Sequence, residues 1–232
     1  MALPYFYIAH IDGPQVQLDE PTSKHVVSVL RMQHGDELVL TDGKGLRATC
    51  TIIDDNRKRC VVAIRERSLE ELRQPRVVVG VSLVKNAARF EWFLEKATEI
   101  GVTAIVPLIC TRTEKEKFRA DRLQGILVSA LLQSQQCWLP VLHEPVDFKE
   151  ALRFPSAQRF IAHCVEGEKR PLSEQLLAGA DRYLLIGPEG DFTQAEIEAA
   201  LAAGFVPAAL GDTRLRTETA ALAGATLLRI LP

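Results

Sequence analysis

A chain of 232 residues with 47% hydrophobic side chains can form one large or two small domains, each with its own core. Its formal net charge of -2 does not advertise a nucleic-acid partner, so any such role must rest on local basic clusters. The five cysteines (50, 60, 110, 137, 164) include no CxxC pair, there is no signal-peptide start, and no apolar run approaches the roughly 20 residues that span a bilayer; a cytoplasmic, non-membrane protein with reduced thiols is expected.

Up to about residue 72 the sequence reads as short β segments: Tyr5 to Ile8, Val16 to Leu18, Glu37 to Thr41, Leu46 to Ile53 and Cys60 to Arg65. Turns are expected at Asp42-Gly43-Lys44-Gly45 and Asp54-Asp55-Asn56. One helix, from about Pro21 to Arg31, interrupts them with an apolar stripe of Val26, Val27 and Leu30. Many short strands with tight turns indicate a small barrel. Gly43-x-Gly45-x-x-Ala48 lies between two strands, so its glycines serve a hairpin and not a dinucleotide fingerprint. There is no Walker P-loop, His-x-x-His pair or G-x-S-x-G elbow, and no metal site is expected.

Glu66 to Arg76 reads as a charged linker, after which strand and helix alternate. Val77 to Leu83 is a near-continuous apolar strand, as in sheets covered on both faces. Asn86 can cap a helix carrying Phe90, Phe93, Leu94, Ala97 and Ile100 on one side and ending at Gly101. Val102 to Leu108 is the next strand, and a long helix follows over about Asp121 to Gln136. Arg159 to Cys164, Tyr183 to Ile186 and Phe205 to Leu210 complete five strands of an open parallel α/β sheet. Thr193 and Glu196 have capping-box spacing for a helix from Gln194 to Ala203, closed by Gly204. A last helix, about Glu218 to Leu231, has no charge between Glu218 and Arg229 and must be buried on several sides.

Two segments between these elements carry the candidate chemistry. Ile186-Gly187-Pro188-Glu189-Gly190 follows a strand, and Leu210-Gly211 with Leu215-Arg216-Thr217-Glu218-Thr219-Ala220 follows the next one. Glycines where strands end release ligand-binding loops in open α/β sheets, although ordinary turns have the same spacing. Basic residues gather at Arg57, Lys58, Arg59, Arg65 and Arg67, and again at Arg112, Lys115, Lys117, Arg119 and Arg122, where Glu114, Glu116 and Asp121 interrupt them.

The two segments closely resemble the signature motifs of the RsmE-type family, SPOUT-class methyltransferases that methylate N3 of a uridine in small-subunit ribosomal RNA. Weaker agreement includes His25 with Val29-Leu30-Arg31-Met32 and Gly35, Lys85 with Glu91, Lys96 and Glu99-Ile100-Gly101-Val102, Pro107-Leu108 with Arg112, Gln133, Pro140 and His163. Asp191 stands where the family has a second glycine. Tyr5-Phe6 and Gln135-Gln136-Cys137-Trp138 stand where many members have arginines, leaving Trp138 as a base-stacking, core or interface residue.

The resemblance implies a PUA-like RNA-binding β-barrel over residues 1–72 and a SPOUT α/β domain with a C-terminal trefoil knot over 73–232. It implies S-adenosylmethionine as cofactor, held by Ile186 through Gly190, Leu210, Gly211 and Leu215 through Thr219. It implies a homodimer acting on 16S ribosomal RNA in the assembled 30S subunit. Methylating a protonated N3 needs a base, for which Glu189 and Glu218 are candidates, or a cation, for which Arg216 and Arg112 are. Arg31, Arg57, Lys58, Arg59 and Lys85 are the candidate RNA contacts. His163 is expected as a hydrogen-bonded strand-end residue. Methylation of another RNA atom, such as a ribose 2′-oxygen, and a non-catalytic ribosome-binding role are the alternatives.

Overall fold

The computed structural model describes residues 3–114 and 118–232, so Lys115 and Lys117 of the second basic group lie outside the described residues. The chain forms two compact units. One comprises the chain up to Leu72 together with Leu131–Leu139, and the other Arg73–Ala130 with Pro140–Pro232.

The first unit contains β1 (Tyr5–Tyr7), β2 (Gln15–Gln17), the short helix α1 (Glu20–Lys24) continued by one π-helical turn over His25–Val29, β3 (Glu37–Thr41), β4 (Leu46–Asp54) and β5 (Val61–Leu69). The strands pair in the order β1-β3-β4-β5-β2, with β1 parallel to β3 and the rest antiparallel. Leu38, Leu40, Ala48, Cys50, Ile52 and Val62 form its core with Phe6, Leu18 and Val26. The helical segment stops short of the expected Arg31 because that residue takes a left-handed φ of 58°. Leu30 is 43% exposed, so the buried stripe is narrower than its spacing suggests. The buried Ser23 hydroxyl ties this segment down by donating to the Leu18 carbonyl and accepting from Cys60 N–H.

β5 also runs through Glu66–Leu69, residues that read as linker, because β4 supplies main-chain pairing as far as Leu46 opposite Leu69. The side chains there are exposed, so no apolar alternation marks the strand. Leu131–Leu139 joins this unit by backbone bonds: Gly45 N–H donates to the Cys137 carbonyl at 2.8 Å, and Leu139 N–H to the Gly43 carbonyl at 2.9 Å. Trp138 Nε1 donates to the Glu70 carbonyl at 2.8 Å. Its ring covers Gly45, where a Cβ would lie 2.7 Å from the indole. Trp138 is therefore a packing residue of this unit.

The second unit contains β6 (Val77–Ser82), α2 (Ala87–Ile100), β7 (Ala104–Ile109), α3 (Ala120–Gln133), β8 (Val141–Leu142), β9 (Val146–Asp147), α4 (Phe148–Ala151), β10 (Gln158–Ala162), β11 (Arg170–Pro171), β12 (Arg182–Ile186), α5 (Gln194–Ala202), β13 (Val206–Ala209) and α6 (Thr217–Ile230). The C-terminal residues of α3 belong to the first unit. All strand pairs are parallel, in the order β11-β13-β10-β12-β6-β7-β8, with β9 also on β7. The five longer strands are those legible in the sequence; β8, β9 and β11 have two residues each, too few to show a period. Asn86 caps α2 through its bond from Ala88 N–H, and Gly101 ends it at a φ of 85°. α3 ends three residues before the expected Gln136, as Gln135 turns to a φ of 54°. Among the described residues no helix is long and apolar enough to cross a membrane. Cys50, Cys60, Cys110 and Cys137 are buried and Cys164 is exposed; all are free, and burial pushes the Cys110 thiol up to about 12.

Two polar devices hold this unit together. Arg182, fully buried at the start of β12, donates to the carbonyls of Leu228 (2.5 Å), Leu231 (2.8 Å) and Pro232 (2.5 Å) at the end of α6, and to Leu177 at 3.2 Å. It thereby satisfies carbonyls that a helix end leaves without partners. Glu196, in the first turn of α5, closes the expected capping box with Thr193 and also reaches the loop after β7. Its carboxylate accepts from Thr193 N–H (2.8 Å), the Thr193 hydroxyl (2.9 Å), Thr111 N–H (2.8 Å) and the Thr111 hydroxyl (3.1 Å). Burial alone would push its pKa up, but these bonds outweigh it and hold the carboxyl below its ordinary value.

Replacing Arg182 with Met strands several buried carbonyls and should destabilise the protein by about 3 kcal/mol in urea denaturation. Glu196→Gln should cost on the order of 2 kcal/mol at neutral pH. A depressed folded-state pKa gives stability that is present above the unfolded-state value and lost as pH falls through the folded one. The gap between wild type and Glu196→Gln should therefore close below the usual carboxylate range, which denaturation across pH 3 to 7 would read (roughly the span over which a lowered carboxylate titrates).

Candidate functional site

β10, β12 and β13 are adjacent, with Ala162 opposite Ile186 and Phe160 opposite Val206, so their C-terminal loops emerge at one edge of the sheet. This is where open α/β sheets bind ligands. Two adjoining clefts open there, of about 630 and 470 Å³, within the usual range of cofactor sites. They share Ala162, Cys164, Asp191, Arg214, Leu215 and Ala220. Leu210, Gly211 and Leu215 line the larger; Ile186, Gly187, Pro188, Glu189, Leu215, Arg216 and Thr217 line the smaller. The two sequence segments thus form one wall.

Thr217 fixes that wall. Its buried hydroxyl donates to the Gly187 carbonyl at 3.0 Å, pinning the start of α6 to the loop after β12. Arg216 occupies the N-cap and makes no side-chain cap bond, so the positive first turn of α6 meets the smaller cleft without a capping side chain. Asp191 braces the opposite side. It sits at a φ of 64°, tolerable for an Asp that bonds locally: Oδ1 accepts from Phe192 N–H, and Oδ2 from Cys164 N–H at 2.7 Å.

Gly187 and Gly190 play parts other than open ligand access. A Cβ on Gly187 would lie 3.1 Å from Phe192 N, so this glycine serves the fold of its own loop. Gly190 lines neither cleft; a Cβ there would come within 3.3 Å of Arg112 Cδ, and its carbonyl accepts from Arg112 Nη1 at 2.6 Å. Gly211 fits the ligand reading best, with a φ of 129° and open space where a Cβ would point.

The other candidate residues separate clearly. Arg112 is exposed, held by the Gly190 carbonyl and outside both linings, as is Thr219. Glu218 is buried behind the wall, with Oε2 lacking a hydrogen-bond partner, whereas the Glu189 side chain is 43% exposed and lines the smaller cleft. His163, just past the end of β10, lines the larger cleft, and its buried Nδ1 has no partner. Burial, then Lys169, lowers its pKa. Sequence reasoning missed Arg89, which lines the smaller cleft and pairs with Glu189 and Glu218. It also passed over Arg214, Lys169 and Asp212, which no motif separates from surface charges. Of the candidate RNA contacts, Arg31, Arg57, Lys58 and Arg59 are exposed on the first unit; Lys85 pairs with Glu114 at 3.1 Å. Arg122 is held by both oxygens of Glu91.

Comparison with known proteins agrees with this architecture. Residues 70–229 match the RNA methyltransferase domain family, and residues 18–65 the RNA methyltransferase PUA domain. The ribosomal RNA small subunit methyltransferase E of Bacillus subtilis is 26% identical over 225 residues, covering 91% of this chain and 88% of its own. The crystal structure of a probable rRNA-methyltransferase from Porphyromonas gingivalis superposes over 98% of both chains, with 36% identity and a TM-score of 0.92. That of the ribosomal RNA small subunit methyltransferase E from Neisseria gonorrhoeae, bound to S-adenosyl methionine, covers 97% of this chain and 95% of its own, with 29% identity and a TM-score of 0.85. With its cleft built from both signature segments and a family match over most of its length, the chain belongs to the RNA methyltransferases of the RsmE type.

Proposed function

We propose that the protein is an S-adenosylmethionine-dependent methyltransferase acting on N3 of a uridine in 16S ribosomal RNA. The observation that carries this reading is the cleft itself, where the loops after β12 and β13 meet the uncapped start of α6. The donor set fits the cofactor: backbone N–H groups at a positive helix end suit its carboxylate, and Gly211 leaves room beside the backbone. Ile186 to Glu189, Leu210, Gly211 and Leu215 to Thr217 would hold it; Gly190, Glu218 and Thr219 would act by supporting them. What the bound cofactor supplies is a sulfonium-activated methyl group. The protein's task is to position the base and manage its proton, and near-attack geometry is worth about 7 to 11 kcal/mol. Glu189, on the cleft wall, would take the N3 proton, and Arg216, on the same wall, would stabilise the imide anion whose electron pair forms the N–C bond while the S–C pair stays with the departing thioether.

On this reading the first unit is a PUA-like β-barrel for RNA, with Arg31 and the Arg57-Lys58-Arg59 turn gripping phosphates. The second is a SPOUT domain whose C-terminal segment forms a trefoil knot. A homodimer is supported by partly buried Leu222, Ala223 and Leu227 and by Ile230, 68% exposed, on an otherwise apolar α6. The working site is the 30S subunit in the cytoplasm.

Mass spectrometry of nucleosides from 30S subunits incubated with protein and labelled cofactor should find 3-methyluridine; label on a ribose oxygen, or none, would overturn the reading. Arg216→Ala should lower the single-turnover rate on saturating RNA by about a hundredfold, the usual scale for one electrostatic donor. Alanine at Arg57, Lys58 and Arg59 should weaken RNA binding and flatten its salt dependence while cofactor affinity in calorimetry stays unchanged.

A further inference from the structure

The guanidinium of Arg89 bridges the two carboxylates that the sequence offers as bases. Arg89 is in the first turn of α2 and lines the smaller cleft. Its Nη1 lies 3.4 Å from Glu189 Oε1 in the loop after β12, and its Nε 3.5 Å from Glu218 Oε1 in the first turn of α6. The carboxylates differ in setting: the Glu218 side chain is 9% exposed and that of Glu189 43%. Glu218 needs no help to stay in place, since it sits inside a helix whose positive end favours it. Glu189 sits on a loop. Both contacts exceed the 2.7 to 2.9 Å of tight charge-assisted bonds. They also differ from the fork, at 2.5 and 2.9 Å, that Arg122 of α3 makes with Glu91 of α2. Arg89 is shared between two partners and not locked to one.

We infer that Arg89 is a positioning residue of the transfer site: anchored on buried Glu218, it holds the Glu189 carboxylate against the cleft wall where the target base enters. Glu218 is then the anchor and not the base, since it is buried and lines neither cleft, whereas Glu189 lines the smaller one. Without the guanidinium, two nearby carboxylates would repel each other and Glu189 would swing into solvent. The role given to Glu189 rests on the methyltransferase reading above, whereas the clamp itself does not.

The test therefore has an arm independent of activity. In protein carrying carboxyl-labelled glutamate, with resonances assigned through Glu189→Gln and Glu218→Gln, Arg89→Ala should shift both carboxyl signals. Its single-turnover rate on saturating RNA and cofactor should fall roughly ten- to a hundredfold, within the range of a general base's contribution, while RNA KM stays within about twofold. Arg89→Lys should recover part of the rate, as should guanidinium ion added to Arg89→Ala. Unmoved carboxyl signals would overturn the clamp. A rate within about twofold of wild type, or a loss that neither lysine nor guanidinium restores, would reduce Arg89 to a structural ion pair. A wild-type protein that responds in the spectrum but transfers no methyl group would refute the proposed function and leave the clamp standing.

Discussion

The C-terminal helix is fastened to β12 at both ends, and the cleft depends on that. At one end Arg182 binds the last carbonyls of α6; at the other, just past the strand, the Gly187 carbonyl receives the Thr217 hydroxyl. The helix lies along the strand as a strut of fixed length. Its uncapped first turn must then face the loops that emerge from the same sheet edge. Gly224 allows the close approach, since a Cβ there would overlap the Leu184 side chain. A glycine inside a helix ordinarily costs about 1 kcal/mol relative to alanine, so contact with β12 offsets a real local penalty.

A second set of polar contacts ties the loops to one another. Glu196 ties the start of α5 to Thr111, and the next residue, Arg112, donates to the Gly190 carbonyl. Asp191 reaches across to Cys164 N–H after β10. Loops from three different strands and one helix are thus cross-linked by polar groups, and the partly buried Glu196 bonds are stronger than they would be in water. Rigidity of this kind suits a reaction in which the protein contributes mainly position.

Charge is distributed by the same logic. A net charge of -2 conceals a cleft where Arg89, Arg214 and Arg216 alternate with Glu189 and Asp191. Composition averages such an arrangement away. The exposed cations on the β4–β5 turn belong to the other unit and are separate from the cleft's charges.

Much of this was legible in the sequence because it depends on local physics. The five long strands, the Asn86 and Thr193 caps and the Gly101 stop follow from apolar runs, capping spacing and glycine placement within a few residues of one another. The assignment of Leu131–Leu139 to the first unit, the strand pairing of Glu66–Leu69 and the two-residue strands were not, because partners distant in the chain create them. The site divides in the same way. Resemblance of the two loops to the family's motifs, and not their spacing, placed Glu189, Arg216 and Gly211 at the cleft. Only the tertiary structure separated buried Glu218 from exposed Glu189, set Arg89 between them and turned Gly190 toward Arg112, because burial and through-space charge are properties of neighbours that the chain order does not contain.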